Sequence, residues 1–236
     1  MELESVRSLK GQLLAQGLTR RVVTRKDLPI RAAVVASAVP AALPPPPIAL
    51  GIEGRGGDFK LAVRITAISP GIQASLDAIK IAARGEVSIR SVGRIVKQQL
   101  TTRVRPLAIG YSVGHVNITA TLQGLGALAG VRETPLESGE TVWKLGRTTG
   151  LTQGTVTATE VDDLAVGYDI GTVVFDNQVE IGPAVAGQTF SMGGDSGSLI
   201  VDAQRFAVAL LFAGNDVDAT YANPIVAVFS GLQVRL

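Results

Sequence analysis

The chain contains no cysteine and a single histidine, His115, among its 236 residues. Without cysteine there can be no disulfide bond, thiolate nucleophile or cysteine metal site. Because clustered carboxylates are confined to Asp162 and Asp163, we expect no metal site. The glycine-rich run at 54–57 lacks the Lys-Ser/Thr ending of a phosphate loop, so we also expect no cofactor.

Aromatic and charged residues are both scarce in this sequence. Aromatic residues make up 4% of the chain and charged residues 18%, whereas apolar residues make up 46%. We therefore expect a core that is built mainly from Val, Ile, Leu and Ala. The formal net charge is only +2 and no basic patch is present, so we expect no nucleic-acid partner.

The sequence also lacks an unbroken hydrophobic run that would form a membrane helix. The most apolar early stretch, 32–50, is interrupted by Pro40 and by the four prolines from Pro44 to Pro47. Acidic residues in the N-terminal MELESVRSLK stand where a signal peptide carries basic ones. We therefore expect no membrane association, and the absence of cysteine favours the cytoplasm.

Hydrophobic patterning divides the chain into three predicted parts. Residues 1–47 combine a short amphipathic helix, with leucines at helical spacing from 3 to 16, and a proline-rich linker. Residues 48–106 predict a small α+β module with two strands around a glycine-rich turn, a helix ending before Gly85, and a further strand with an extension. Residues 107–236 alternate short apolar runs with glycine, which predicts an all-β barrel or sandwich.

The run 191-SMGGDSGSLIVD-202 is typical of a reactive serine on a tight turn. A serine hydroxyl is a weak nucleophile, so it needs an exposed position and a base beside it. Gly194 and Gly197 flank Ser196 and allow such a turn, since glycine tolerates positive φ. Taken alone, the same letters also fit an ordinary β-turn.

The surrounding sequence resembles a bacterial branch of the trypsin-like serine peptidases. The similarity covers about 107–236 and includes four segments: 110-GYSVGHVNITA-120, 144-KLGRTTGLTQGTVTA-158, 209-ALLFAG-214 and 222-ANPI-225. The resemblance implies a mainly β fold, with the second β-barrel of that family. It also implies that Ser196 is the nucleophile, and that the N–H groups of Gly194 and Ser196 form an oxyanion hole.

The same resemblance assigns residues that would bind substrate. Phe190, six residues before Ser196, falls where the family sets specificity at the floor of its pocket. A phenylalanine there argues against a preference for Lys or Arg in the substrate. Phe212, Ala213 and Gly214 correspond to the substrate-binding strand.

The family's base-bearing segment is missing from this chain. Fewer than about 30 residues separate His115 from Trp143, whereas a six-stranded barrel needs roughly 60 or more. We therefore expect the first barrel to be truncated, without the segments that carry the catalytic histidine and aspartate. His115 is the candidate base, although in the family this position holds a histidine outside the triad.

Three readings of function follow. The first is an impaired peptidase, or pseudo-peptidase, that acts as a binding or self-assembly module for a peptide or protein ligand. The second is an active serine endopeptidase that uses His115 or a histidine of a partner chain. The third is a structural subunit of a shell or filament. A truncated first barrel leaves apolar surface and open strand edges, and the mean hydropathy is +0.32, so we expect a homo-oligomer.

Overall fold

The computed structural model describes residues 1–19, 46–66, 71–98, 121–122, 125–168 and 171–233. His115, the proline-rich linker up to residue 45 and the predicted boundary at 106 and 107 lie outside them. Three helices are seen in this part of the chain: α1 (Leu3–Ala15), α2 (Ile72–Ala82) and α3 (Ile225–Leu232). None of these three is long and apolar enough to cross a bilayer.

The strands of the described residues are numbered in chain order. The first seven are β1 (Ile48–Arg55), β2 (Asp58–Ile65), β3 (Val87–Ser91), β4 (Ile95–Lys97), β5 (Thr121–Leu122), β6 (Gly126–Ala127) and β7 (Gly130–Val131). The next four are β8 (Thr141–Gly146), β9 (Gly150–Asp162), β10 (Leu164–Tyr168) and β11 (Gly171–Phe175). The last four are β12 (Gln178–Pro183), β13 (Leu199–Asp202), β14 (Phe206–Gly214) and β15 (Thr220–Pro224).

Six antiparallel strands close into a barrel in the C-terminal part. The order around the barrel is β8, β9, β12, β15, β14 and β13, and β13 pairs back onto β8. Alternate residues of β8 and β9 are buried, as period-two strands around a core require. The barrel core is almost entirely aliphatic, with Phe190 as its one aromatic member. The predicted mainly β fold and its C-terminal barrel are therefore confirmed.

The N-terminal module also follows its sequence pattern. Strands β1 and β2 form a hairpin, and β3 returns parallel to β2 after α2. Helix α2 ends at Ala82, and Arg84 and Gly85 both have positive φ, which agrees with the glycine stop. Helix α1 packs on this sheet through Val6 and Leu13, so the amphipathic helix covers its own chain.

The module and the barrel share one continuous sheet, which the sequence pattern did not predict. Strand β1 pairs antiparallel with the long strand β9, with a register shift between Leu50 and Ile52. A Cβ at Gly51 would lie 2.8 Å from Val161 Cγ2 and 3.0 Å from the Thr159 carbonyl oxygen. Glycine at position 51 therefore permits the close approach of the two strands.

A buried ionic cluster joins the same two parts. The fully buried carboxylate of Glu180 on β12 accepts hydrogen bonds from Arg64 Nε at 2.9 Å, Tyr221 Oη at 2.7 Å and Thr157 Oγ1 at 2.6 Å. Arg90 Nη1 adds a contact at 3.2 Å. Burial and the adjacent Glu180 carboxylate raise the pKa of Tyr221 well above its usual value. Arg64 and Arg90 belong to the module, so its position depends on this cluster.

We predict that Glu180→Gln lowers the free energy of unfolding by about 3–5 kcal/mol, because it leaves the buried Arg64 without its main counter-charge. Urea unfolding measures the loss. The matched control is Glu133→Gln at an exposed position, which should change stability by less than about 0.5 kcal/mol. Equal losses in the two variants would contradict the role assigned to the cluster.

Candidate functional site

The turn that carries Ser196 has the backbone that its glycines predict. Gly194 has φ +106° and Gly197 has φ +87°, both in the region that favours glycine. Ser196 lies between them at the start of the segment that leads into β13, and it is half-buried. The two glycines thus present the serine at the edge of the barrel.

Asp195 anchors this turn from inside the protein. One carboxylate oxygen accepts the backbone N–H of Thr148 at 2.7 Å and that of Thr149 at 3.3 Å. The other accepts Thr149 Oγ1 at 2.7 Å and the Met192 N–H at 3.1 Å. Lys144 Nζ lies 3.3 Å away, and both side chains of this pair are fully buried. The turn is therefore tied to strand β8 and to the hairpin that follows it.

The electrostatics of this pair reflect its burial. Desolvation by itself would raise the pKa of Asp195, but hydrogen bonds from Thr149, Thr148 and Met192 and the charge of Lys144 bring it below its usual value. Desolvation lowers the pKa of Lys144, and the attraction of Asp195 offsets this only in part. A Cβ at Gly146 would collide with the Asp195 carboxylate, so glycine at 146 leaves the room that the anion needs.

The N–H groups of Gly194 and Ser196 converge on one oxygen atom. Both donate to the backbone carbonyl oxygen of Gln98, at 2.6 Å and 3.2 Å respectively. These are the two donors that the resemblance assigns to an oxyanion hole. The geometry therefore brings them together around a peptide carbonyl group of the chain itself.

The hydroxyl group of Ser196 forms a hydrogen bond with a different carbonyl group, that of Phe212. Ser196 Oγ donates to the carbonyl oxygen of Phe212 at 3.1 Å, and the N–H of Gln98 donates to the same oxygen at 3.2 Å. His115 lies outside the described residues, so the structure does not place the candidate base. The nucleophile and base roles of Ser196 and His115 remain predictions.

Strand β4 and Gln98 lie beside β14, whose residues Phe212, Ala213 and Gly214 the resemblance assigns to substrate binding. Lys97 pairs antiparallel with Ala213, and Val96 with Gly214. On its other side, β4 pairs parallel with β10. The predicted residues Phe212, Ala213 and Gly214 therefore contact an extended segment of this chain through their backbone.

The side chain of Gln98 fills a polar pocket and has no exposed surface. Its Oε1 accepts a hydrogen bond from Ser191 Oγ at 2.6 Å. Its Nε2 donates to Asp216 Oδ1 at 2.9 Å and to the Ser191 carbonyl oxygen at 3.4 Å. Thr220 Oγ1 lies 2.5 Å from Ser191 Oγ, so the hydroxyl groups of these two residues are hydrogen-bonded to each other.

The ring of Phe190 packs inside the barrel. Its ring belongs to the barrel core and is 2% exposed, and Lys144 Nζ lies 5.5 Å from the ring centroid. Its carbonyl oxygen accepts Thr152 Oγ1 at 2.8 Å. The next residue, Ser191, donates to the Gln98 side chain through its hydroxyl group, and the Asp216 carboxylate accepts a hydrogen bond from it. The specificity role of Phe190 remains a prediction.

The sequence pattern assigned no functional role to two residues of this site, Lys144 and Gln98. Lys144 stands in the run TVWKLG, where period-two alternation places it on the buried face with Val142 and so gave a usable signal. Gln98 had no comparable signal, because it follows a strand of only three residues. Among the described residues, no group of three or more His, Cys, Asp or Glu side chains is placed to hold a metal ion.

No family model matches this chain, and no curated protein sequence matches it. Several solved structures of bacterial enzymes are similar in part. One is described as a glutamic acid specific serine protease that utilizes a novel histidine triad in substrate binding; it is 22% identical, with 53% of this chain and 63% of that chain covered and a TM-score of 0.37.

Two further structures show the same partial similarity. Thermobifida fusca protease A is 18% identical, with 64% of this chain and 62% of that chain covered and a TM-score of 0.34. Cellulomonas bogoriensis chymotrypsin is 19% identical, with 47% and 56% covered and a TM-score of 0.32. The chain therefore spans less than two thirds of the length of each of these proteins.

We predict that Asp195→Asn lowers the free energy of unfolding by about 3–5 kcal/mol at neutral pH, because it leaves Lys144 buried without its partner. The folded-state pKa of Asp195 is lowered, so its carboxylate contributes stability above the unfolded value of about 3.9. That contribution is lost as the pH falls through the folded pKa. The gap between wild type and variant should therefore narrow below about pH 4.

Urea unfolding from pH 7 down to pH 3 tests this expectation. Asp58→Asn, at an exposed position of the β1–β2 hairpin, is the matched control and should follow the wild type. A gap of the same size at every pH would show that the anchoring does not depend on the charge of Asp195.

Proposed function

We propose that this protein is a trypsin-like serine peptidase-fold protein that is catalytically impaired and binds an extended peptide in the cleft beside Ser196. One observation carries the proposal. The N–H groups of Gly194 and Ser196 hold the carbonyl oxygen of Gln98, while the Ser196 hydroxyl donates to Phe212. The two backbone donors that would bind a substrate carbonyl group in a peptidase thus contact a peptide carbonyl group here.

The backbone contacts support peptide binding directly. The Gln98 carbonyl oxygen accepts two N–H groups, and the Gln98 N–H donates to a third residue, Phe212. Three backbone hydrogen bonds therefore fix one peptide residue without any side chain of the ligand. Such main-chain contacts give affinity to any extended segment, and pockets for alternate side chains give specificity.

The chemistry of Ser196 supports impairment. A serine acts as a nucleophile when a base accepts its proton, and here the hydroxyl hydrogen is directed to a carbonyl oxygen. Without a base, the two amide donors leave only a residual rate, several orders of magnitude below that of a complete triad. The chain has one histidine with which to build a base.

An active endopeptidase is the second candidate, because the same amide pair and Ser196 stand beside a peptide carbonyl group. In that case His115 or a histidine of another copy supplies the base. Self-association is part of the proposal as well, on the strength of the mean hydropathy of +0.32. Sedimentation velocity at micromolar concentration distinguishes a homo-oligomer or larger assembly from a monomer.

We predict that a fluorophosphonate probe leaves Ser196 unlabelled, and that purified protein cleaves a casein or mixed-peptide substrate no faster than Ser196→Ala does. The physical reason is that, among the described residues, the hydroxyl group donates to the Phe212 carbonyl oxygen, which is too weak a base to take up the proton. Intact-mass spectrometry measures labelling, and fluorescence release measures cleavage. Trypsin serves as the positive control for the probe.

Stoichiometric labelling at Ser196, with turnover that disappears in Ser196→Ala, would establish the active-endopeptidase reading instead. His115→Ala then tests histidine as the base, since it removes the single histidine from every copy of the chain. Turnover that persists in His115→Ala would exclude histidine as the base altogether.

A further inference from the structure

We propose that the cleft is a glutamine-selective peptide site, and that the chain's own segment Ile95–Gln98 occupies it as a built-in competitor of an external peptide. The inference rests on the proposed function for one point, that the cleft binds peptides. Beyond that point, we infer that the cleft recognises a glutamine side chain and that the segment Ile95–Gln98 controls the access of other peptides to it. The strand pairing of β4 and the hydrogen bonds of the Gln98 side chain support these two points.

The backbone of the segment Ile95–Gln98 is extended, and its strand β4 lies between two other strands. Strand β4 lies between β14 on one side and β10 on the other, and it pairs with both. If the segment leaves, the edges of β10 and β14 that it covers lose their partner. An exposed pair of edges is the kind of site where an extended peptide adds as a strand.

The pocket distinguishes the two ends of a carboxamide group. Asp216 Oδ1 and the Ser191 carbonyl oxygen can only accept hydrogen bonds, and both face Nε2 of Gln98. Ser191 Oγ lies 2.6 Å from Oε1 and can donate to it, since Thr220 Oγ1 is in place to donate to Ser191 in turn. The amide orientation therefore follows from the chemistry of its partners.

The shape of the pocket adds to this selection. A Cβ at Gly214 would collide with Nε2 of Gln98, so the side chain lies directly against the glycine backbone. A glutamate in this place would set a carboxylate oxygen against the Asp216 carboxylate and the Ser191 carbonyl group. An alanine would remove the carboxamide from Ser191 Oγ and from Asp216 Oδ1, so both would lose a hydrogen bond in the pocket. Each change should weaken binding at least about tenfold.

A short connection to β3 keeps the segment Ile95–Gln98 close to the cleft, so it competes strongly with an external peptide. Only residues 92–94 separate β3 from β4, and the N–H groups of Val92 and Gly93 both donate to the Ile65 carbonyl oxygen. Asn215 Nδ2 donates to the Val92 carbonyl oxygen at 3.0 Å. A short tether of this kind gives an effective concentration of the order of millimolar or above. An external peptide must therefore displace a ligand that is already close by.

The test uses the labelled peptide fluorescein-Ile-Val-Lys-Gln-amide, a copy of residues 95–98, and fluorescence anisotropy. We expect Gln98→Ala to bind it at least about tenfold more tightly than the wild-type chain does, because the internal competitor is weakened. The matched control is Gln73→Ala, which removes an exposed glutamine of α2 and should bind as the wild type does. On Gln98→Ala, peptides ending in Glu or Ala should bind at least about tenfold more weakly than the Gln peptide.

A second measurement leaves the wild-type chain unaltered, so it remains decisive even where Gln98→Ala does not fold. Hydrogen exchange of the fragment that covers residues 95–98 should accelerate in millimolar Gln peptide and remain unchanged in the Ala peptide. Unchanged exchange with both peptides, or equal affinity of the Gln and Ala peptides, would overturn the proposal.

Failure of this inference is distinguishable from failure of the proposed function. Intact-mass spectrometry reports any cut after Gln98. Such a cut, with glutamine selection retained, would show an active peptidase and leave the selection rule standing. An uncut chain that binds the Gln and Ala peptides equally would instead remove the glutamine selection, while the impaired peptide-binding reading persists.

Discussion

The buried pair of Asp195 and Lys144 is the interaction on which the site depends. Asp195 precedes Ser196 directly, so any movement of its carboxylate changes where the Ser196 N–H points. Five contacts hold that carboxylate, and Lys144 supplies the opposite charge from the inner face of β8. A buried pair of this kind is costly when one member is lost. These hydrogen bonds and the opposite charge therefore hold the turn in place, and the N–H groups of Gly194 and Ser196 donate to one oxygen atom.

A second constraint decides what those amides contact. The module carries β4 into the cleft, and the module is held by the β1–β9 pairing and by the Arg64–Glu180 cluster. Because β4 follows β3 after three residues, the position of the module sheet sets the position of Gln98. The ionic cluster and the cleft lie in different places, yet both depend on the same docking of module on barrel.

Binding a peptide and cleaving it place different requirements on a site of this kind. Binding a peptide carbonyl group needs only fixed N–H donors, which the backbone at 194–196 supplies once the turn is held. Transfer of a proton from Ser196 needs an added base with the right pKa and geometry. These two requirements come from different parts of a chain, so one can be kept while the other is lost. The two N–H groups that contact the Gln98 carbonyl oxygen fit the first requirement.

Local sequence determined much of this protein. Alternating apolar residues specified β8 and β9, the Gly-Gly turn specified the first hairpin, and glycines on both sides of Asp195-Ser196 specified a turn with positive φ. These features depend on residues close in the chain, which is why sequence patterns reveal them. The partners of Gln98 lie about 90 to 120 positions away, and Glu180, the buried partner of Arg64, lies 116 positions from it, so no local pattern encodes them. Only the tertiary structure decided that β4 enters the cleft, because strand pairing across such distances depends on how whole sheets dock.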